Sequence, residues 1–547
     1  MVANFMSFAS AQGNGDGTRR SSQRRRPLLA GGALALAVGA GFAWTNLADG
    51  DPRLPTSGED PSDQPTSAAA AAPSEPPVQI CDNAAVLEGP RTPPDGAVVV
   101  DKSQNLSDLT DENPAGTVFW LAPGTHTVGT GAYSQVIPKD GNTYVGAPGA
   151  RLDGQRLARY AFTGDAANVS IRHLTIENFG QLGGNNDEGV VNHNAAADWV
   201  IENNTVTNNA GAGLMVGSGN LVRNNCLEQN GQYGFNAYHP DEVADVTIEN
   251  NEIVGNNTDD WEALREGCGC TGGGKFWKVI GGVIRNNWVH DNNGAGLWVD
   301  TNNAGLAFEG NYISDNDAEG IFYEASYNGL IRSNTFVRNG HVKGPTNPGF
   351  PTSAVYISES GSDARVATDY SETFEISHNV FEDNWAGVIL WENADRFVGS
   401  PANTSSGSST LVNPAIANGN TCTPANINSE PYLDDCRWKT KNVQIHHNMF
   451  SFDPNEIGDA CTTRSGCGYN GIFSNWGSYP DWSPYLDDTI QDAITFEQDN
   501  LFFENTYSGP WRFIIYEQGT RVDWAHWQGA PYGQDGNSII KIQASKR

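Results

Sequence analysis

Positive charge is what this chain lacks most. Its 547 residues hold 32 Lys and Arg against 64 Asp and Glu, a formal net charge of −32. Five of the Arg and one Asp fall in the first 47 residues, so the remainder carries about −36. A surface that acidic repels nucleic acid and anionic lipid, and disfavours polyanionic substrates unless a cation bridges them. The signatures of several chemistries are missing too: there is no HExxH pair, no Walker loop and no Ser nucleophile elbow. The Gly-x-x-Gly matches are turn glycines. Cysteine is limited to eight residues. Cys268-Gly-Cys270 has the spacing of half a metal site, but no second Cys/His pair matches it, so no metal is expected there.

What the chain has instead is repetition. Glu-Asn-Asn-Thr-Val at 202–206 returns as Arg-Asn-Asn-Cys-Leu at 223–227, Glu-Asn-Asn-Glu-Ile at 249–253 and Arg-Asn-Asn-Trp-Val at 285–289. Further copies start at Glu309, Arg332, Ser377, His446 and Gln498. The shortest steps between central asparagines are 21, 23, 24 and 26 residues. Such a period, with Asn at a fixed place, marks a solenoid in which each repeat is one coil. Stacked coils bring equivalent residues within about 4.8 Å. Gly 62 and abundant Asn suit a chain that turns often.

The start of the chain reads as an export signal. Arg19, Arg20, Arg24, Arg25 and Arg26 precede an uncharged stretch from Leu28 to Leu47. Arg25-Arg26-Pro27-Leu28-Leu29 loosely matches a twin-arginine signal, without the usual Ser-Arg-Arg start. About 20 apolar residues can also anchor in a bilayer. This stretch is rich in Gly and Ala and makes a poor anchor, which favours a cleaved signal over residues 1–47. Residues 48–79 are Pro, Ser, Ala and acidic and read as a disordered linker. The folded domain is expected from about residue 80 to 547, as a monomer. Export suggests disulfides; Cys422 with Cys436 and Cys461 with Cys467 are near in sequence, inside long insertions.

Gly-Thr-Val-Phe-Trp-Leu-Ala-Pro-Gly at 116–124 resembles the opening coil of right-handed parallel β-helix proteins of the pectate-lyase-like superfamily, and the Asn-rich repeats resemble that superfamily's generic repeat. The resemblance covers roughly residues 95–520. It implies an all-β, single-stranded right-handed parallel β-helix of about ten coils with loop insertions. It is poor for activity, because lyases, hydrolases, epimerases and non-enzymatic adhesins share the fold.

After each Asn motif a second strand opens on a small residue: Gly213, Gly234, Gly296, Gly320, Ala354, Gly387 and Gly471. Positions +1 and +3 are nearly all apolar and define the core. Positions +2 and +4 face outward, where Trp298, Phe322 and Tyr356 form an aromatic column with Trp391 further along. Beside it stand Asp300 and Glu324, then Ser358, with Glu359 and Glu392 at +5. Exposed rings in a row imply a ligand or a covering loop. Rings beside carboxylates suit sugars, and insertions at 340–352, 360–371 and 397–440 can fold back over them.

Three functions fit. The first is hydrolysis of an extracellular polysaccharide, with Asp300 and Glu324 about 5 Å apart as nucleophile or base and acid, Glu392 as a wider partner, and Trp298, Phe322, Tyr356, Trp391, Tyr238, His239 and Glu359 binding sugar. The second is β-elimination or epimerisation on uronates. Its base is Lys278 if Gly274 opens the strand, or Lys275 if the register slips by one. The lysine can equally hold Asp300 ionised. The third is non-catalytic glycan binding. No cofactor is expected, although the acids can hold Ca²⁺. No compact Asp-x-Asp loop supports that.

Overall fold

Short runs of β-branched and aromatic residues alternate with Asn- and Gly-rich corners. In the computed structural model these runs stack as parallel strands. It describes residues 71–181, 189–264, 272–347, 350–366, 373–400, 413, 415–463, 466–474 and 483–541. The expected signal or anchor and most of the linker lie outside the described residues. Within them, no helix is long and apolar enough to cross a membrane.

Each coil has three faces. Face one carries the strands that enter the Asn motif, such as Val200–Glu202 and Leu221–Arg223. Face two carries the strands beyond that corner, thirteen among the described residues, from Gly124–His126 to Ile539–Lys541. Face three carries the strands opened by a small residue, including Leu297–Val299, Ile321–Glu324, Val355–Ser358 and Val388–Glu392. Two long strands, Phe235–Glu249 and Gly274–Arg285, run from face three around a corner into face one and join both into one 21-stranded sheet. The stack is therefore longer than about ten coils, because its first and last coils lack the Asn motif.

In-register pairing puts like over like. Leu214, Phe235, Leu297, Ile321, Val355 and Val388 are all fully buried on face three. Phe336, Phe381, Phe450 and Tyr507 stack on face two with centroids 5.0, 4.6 and 4.8 Å apart. The central asparagines form a ladder. The amide of Asn204 donates to Asn225, Asn225 to Asn251, and so on through Asn287, Asn311, Asn334, Asn379 and Asn448 to Asn505, at 2.9–3.1 Å. The ninth rung corrects the sequence alignment: Asn505, not Asn500, continues the column, while Asn500 donates to Thr440 O and Ile494 O. A second ladder, unforeseen, runs from Asn209 through Asn230, Asn256, Asn292, Asn316 and Asn339 to Asn384.

The residue just before each ladder Asn takes positive φ at the corner. This column reads Asn203, Asn224, Asn250, Asn286, Gly310, Ser333, His378, His447 and Glu504, with φ between 52° and 65°. Asn suits it because its short polar side chain tolerates the left-handed region. One residue earlier, face one presents Glu202, Arg223, Glu249, Arg285, Glu309 and Arg332 in register, an alternating charge ladder.

Packing on the stack begins before residue 80. Thr335 Oγ1 donates to Pro73 O, Ile80 N and Cys81 N donate to Glu252 Oε2 at 2.6 and 2.8 Å, and Trp120 Nε1 donates to Pro90 O. Residues 73–90 thus form a strap along the stack. Cys81 pairs with Cys226, a pairing the sequence left open. Cys422–Cys436 and Cys461–Cys467 pair as their spacing suggested; Cys268 and Cys270 lie outside the described residues. At the far end, Trp527 is buried against Phe513 at 4.8 Å and donates to Asp535, so the tail caps the stack as solenoid ends require.

Candidate functional site

Face three aligns its outward residues in two rows. The +2 row reads Met215, Asn236, Lys275, Trp298, Phe322, Tyr356 and Ile389. The +4 row includes Tyr238 beside Trp277 and Glu324 beside Ser358, followed by Trp391 and Phe473. Asp300 N bonds to Phe276 O and thereby stands next to Trp277 in that row.

The register settles the lysine. Gly274 pairs with Phe235 and Leu297, which are +1 residues, so the strand opens at Gly273 and Lys275 is the outward lysine. Lys278 is displaced from the row; its Nζ donates to Pro240 O at 3.0 Å. Lys275 Nζ lies 2.9 Å from Asp300 Oδ2 and 4.9 Å from the centre of the Trp298 ring. Burial pushes the Asp300 carboxyl up. The Lys275 ammonium overcomes this, aided by Thr301 N and Oγ1 at 2.7 and 2.8 Å, and holds Asp300 below the usual range. Gly471 is a second register correction: it pairs with Ile389, two places on, and Tyr469 occupies the opening position.

The aromatic column is real but divided. Trp298 and Phe322 stack at 4.5 Å and Phe322 lies 4.7 Å from Tyr356. Trp298 and Phe322 are half-buried; Tyr356 is buried. The 340–352 insertion places Phe350 5.4 Å from Tyr356, 5.5 Å from Trp391 and 5.6 Å from Phe473, closing that end into an apolar cluster. Tyr356 is thus removed as a sugar platform, and Trp391 keeps only part of its surface. At the open end Tyr238 and Trp277, both half-buried, stack at 4.9 Å. His239 is also half-buried and faces Asp241, not the acid row.

Three of the four candidate acids are sealed. Glu324 is 1% exposed and Glu359 and Glu392 are 0%. Arg396 reaches Glu324 directly and lies 3.6 Å from Glu359; Arg437 pairs directly with Glu392. Glu392 also accepts from Gln498 and Thr440 N. Trp298 Nε1 donates to the second oxygen of Glu324 at 3.3 Å. Burial pushes Glu359 up to about 8, against hydrogen bonds from Ser358 and Asn393 N. Both arginines come from the stretch that follows the strand Val388–Glu392, so the insertion starts at 393 and not at 397, and its tie to the acid row has no repeat to betray it in sequence. Trp277 and the half-buried Glu319, which burial pushes up to about 7, were missed as well, one by the register slip and the other because it sits in a turn.

Asp300 alone keeps some access, its side chain 12% exposed. Two buried polar atoms beside it lack protein partners, Asn236 Oδ1 and Trp277 Nε1. Among the described residues, Cys81, Cys226 and Glu228 are the one group of three His, Cys, Asp or Glu whose ligand atoms lie within 4.8 Å of one another, and its two cysteines form a disulfide.

A model described as the right handed beta helix region matches residues 154–275, 191–369 and 281–402. No curated protein matches the sequence. Among solved structures, the catalytic unit of an alpha-1,3-glucanase from Streptomyces thermodiastaticus aligns at 12% identity, over 84% of this chain and 70% of its own, with a TM-score of 0.46. The A-module of a mannuronan C-5 epimerase from Azotobacter vinelandii aligns at 13% identity over 64% and 92%, with a TM-score of 0.33. PfbA, a surface adhesin of Streptococcus pneumoniae, aligns at 11% identity over 82% and 90%, with a TM-score of 0.37. From its repeats, its register and the family match, this chain is a right-handed parallel β-helix protein.

Proposed function

We propose that the protein is exported and engages an extracellular polysaccharide on the open half of face three. The observation that carries this reading is the grouping of four half-buried rings, Tyr238, Trp277, Trp298 and Phe322, on neighbouring coils around the Lys275–Asp300 pair. Rings offer flat apolar faces to sugar C–H groups, and the orphaned Asn236 Oδ1 and Trp277 Nε1 suit hydroxyls. Asp300, ionised and partly accessible, is the carboxylate placed to act as a nucleophile. Hydrolysis by an Asp300 and Glu324 pair loses support, since a carboxyl clamped by a buried guanidinium is a poor proton donor.

A second reading, elimination or epimerisation on a uronate polymer, is favoured by Lys275: its ammonium stands at the rings and can neutralise a uronate carboxylate in a chain otherwise hostile to polyanions. The test is affinity electrophoresis and product analysis over neutral and uronic polysaccharides. Trp298→Ala should weaken retardation at least about tenfold, and Asp300→Asn should abolish product while sparing binding. Reducing ends without ultraviolet absorbance indicate hydrolysis; an unsaturated, absorbing product indicates elimination. Retention of every polysaccharide by Trp298→Ala at wild-type strength would overturn the reading.

A further inference from the structure

Away from face three, the corner column changes character near the end of the stack. Where earlier coils carry Asn203, Asn224, Asn250 and Asn286, two adjacent coils carry His378 and His447. The charge ladder beside it also ends: Ser377 and then His446 follow Arg332. Three imidazoles meet at one exposed corner. The Nδ1 atoms of His446 and His447 face each other at 2.9 Å. Ring centroids are 5.1 Å apart for His446 and His447, 5.1 Å for His378 and His447 and 6.2 Å for His378 and His446.

Three features point to one ligand. First, when both rings carry their hydrogen on Nε2, the two Nδ1 atoms present lone pairs to each other at 2.9 Å, a repulsion that a cation between them relieves. Second, the opposite nitrogens are aimed at carboxylates: His446 Nε2 lies 3.8 Å from Glu375 and His447 Nε2 lies 3.3 Å from Glu504. That is the outer arrangement of metal-bound histidines, whose far N–H is held by a carboxylate. Third, the spacing fits. With metal–nitrogen bonds of about 2.0–2.1 Å in tetrahedral geometry, ring centroids fall about 5 Å apart. The His446–His447 pair already matches, while the nitrogens of His378 have not converged with theirs. His378, exposed and stacked parallel on His447, needs a side-chain rotation to bring a nitrogen inward.

We propose that His378, His446 and His447 form a binding site for one divalent transition-metal ion of the class that prefers imidazole, such as Zn²⁺, with Glu375 and Glu504 orienting the rings. The site lies on the outward side of faces one and two, away from the sugar face, and is independent of the proposed function.

The fold itself supplies the control. Asn occupies the same left-handed corner in other coils, so His378→Asn and His447→Asn preserve the backbone. The full chain, freed of metal, is titrated with Zn²⁺ by calorimetry and with Co²⁺ by visible absorption. One ion per chain is expected, with Co²⁺ giving the intense bands of a low-coordinate site that Zn²⁺ bleaches. Each single variant should weaken Zn²⁺ at least about tenfold, since loss of even an outer partner of a metal ligand costs about 10–100-fold. His526→Asn, at an exposed helix elsewhere, should change nothing. Absence of saturable binding, or equal Zn²⁺ affinity in wild type and the His378→Asn/His447→Asn double variant, would overturn the site.

Discussion

Arg396 decides whether the acids of face three are catalysts or structure. It lies buried between Glu324 and Glu359, and burial pushes its own guanidinium down to about 10, partly offset by Asp300. Removing one partner of such a buried pair leaves an uncompensated charge, at a cost of about 3–5 kcal/mol. Arg396→Met should therefore lower stability by that order in chemical denaturation, and Arg396→Met with Glu324→Gln should recover most of it. A merely surface arginine would show neither effect. Glu359 gives a pH signature of definite sign. Its folded value, near 8, exceeds the ordinary carboxyl value of 4.5, so the folded state holds a proton that the unfolded state releases. That contribution is complete below about pH 4.5 and is lost as pH rises towards 8, by up to about 1.4 kcal/mol per unit. Glu359→Gln should flatten the fall in stability over that window relative to wild type, read from denaturation midpoints at pH 5 and pH 8. Parallel curves would mean that Glu359 is ionised throughout and paired with Arg396.

At the scale of the strand and its corner, neighbouring asparagines have opposite duties. Asn286 is exposed and serves the left-handed corner; Asn287 is buried and serves the ladder. The Asn287 amide donates to Asn311 and Ile248 O, while its oxygen accepts from the Asn251 amide and backbone N–H. Asn287→Ala leaves several buried groups unpaired and should cost about 2–4 kcal/mol, whereas Asn286→Gly, tolerant of positive φ, should stay within about 0.5 kcal/mol. Thermal shift measurements on the two variants separate the roles. The same elements show what could be read in advance. Asn at a fixed place with alternating apolar neighbours reveals coil, ladder and inward face, because these repeat. Register across an irregular coil does not: nothing around Gly272-Gly273-Gly274 states which glycine opens the strand, and one step exchanges Lys278 for Lys275. Arg396 and Arg437 likewise belong to a unique insertion, and their pairing with Glu324 and Glu392 spans 72 and 45 residues with no periodic cue.

Across the whole molecule, a solenoid makes contacts only between neighbouring coils, so its stability is a chain of local terms and its ends are free to fray. The strap from Pro73 to Pro90 breaks that locality. It touches the coil of Thr335, the coil of Glu252, the coil of Asn203 through Val86 O and the early coil of Trp120. The Cys81–Cys226 bond fixes its middle and closes a loop of 145 residues, which on the chain-entropy account is worth about 5 kcal/mol. Since the early coils are enclosed in that loop, the benefit belongs to them. Cys81→Ser with Cys226→Ser should therefore raise hydrogen exchange at Ser170–Arg172, Val200–Glu202 and Thr205–Thr207, while leaving Phe374–Ser377 and Val443–His446 protected as before. Uniform loss of protection along the stack would instead mean that all coils unfold as one unit, and the strap would then be a global clamp rather than a brace for the first turns.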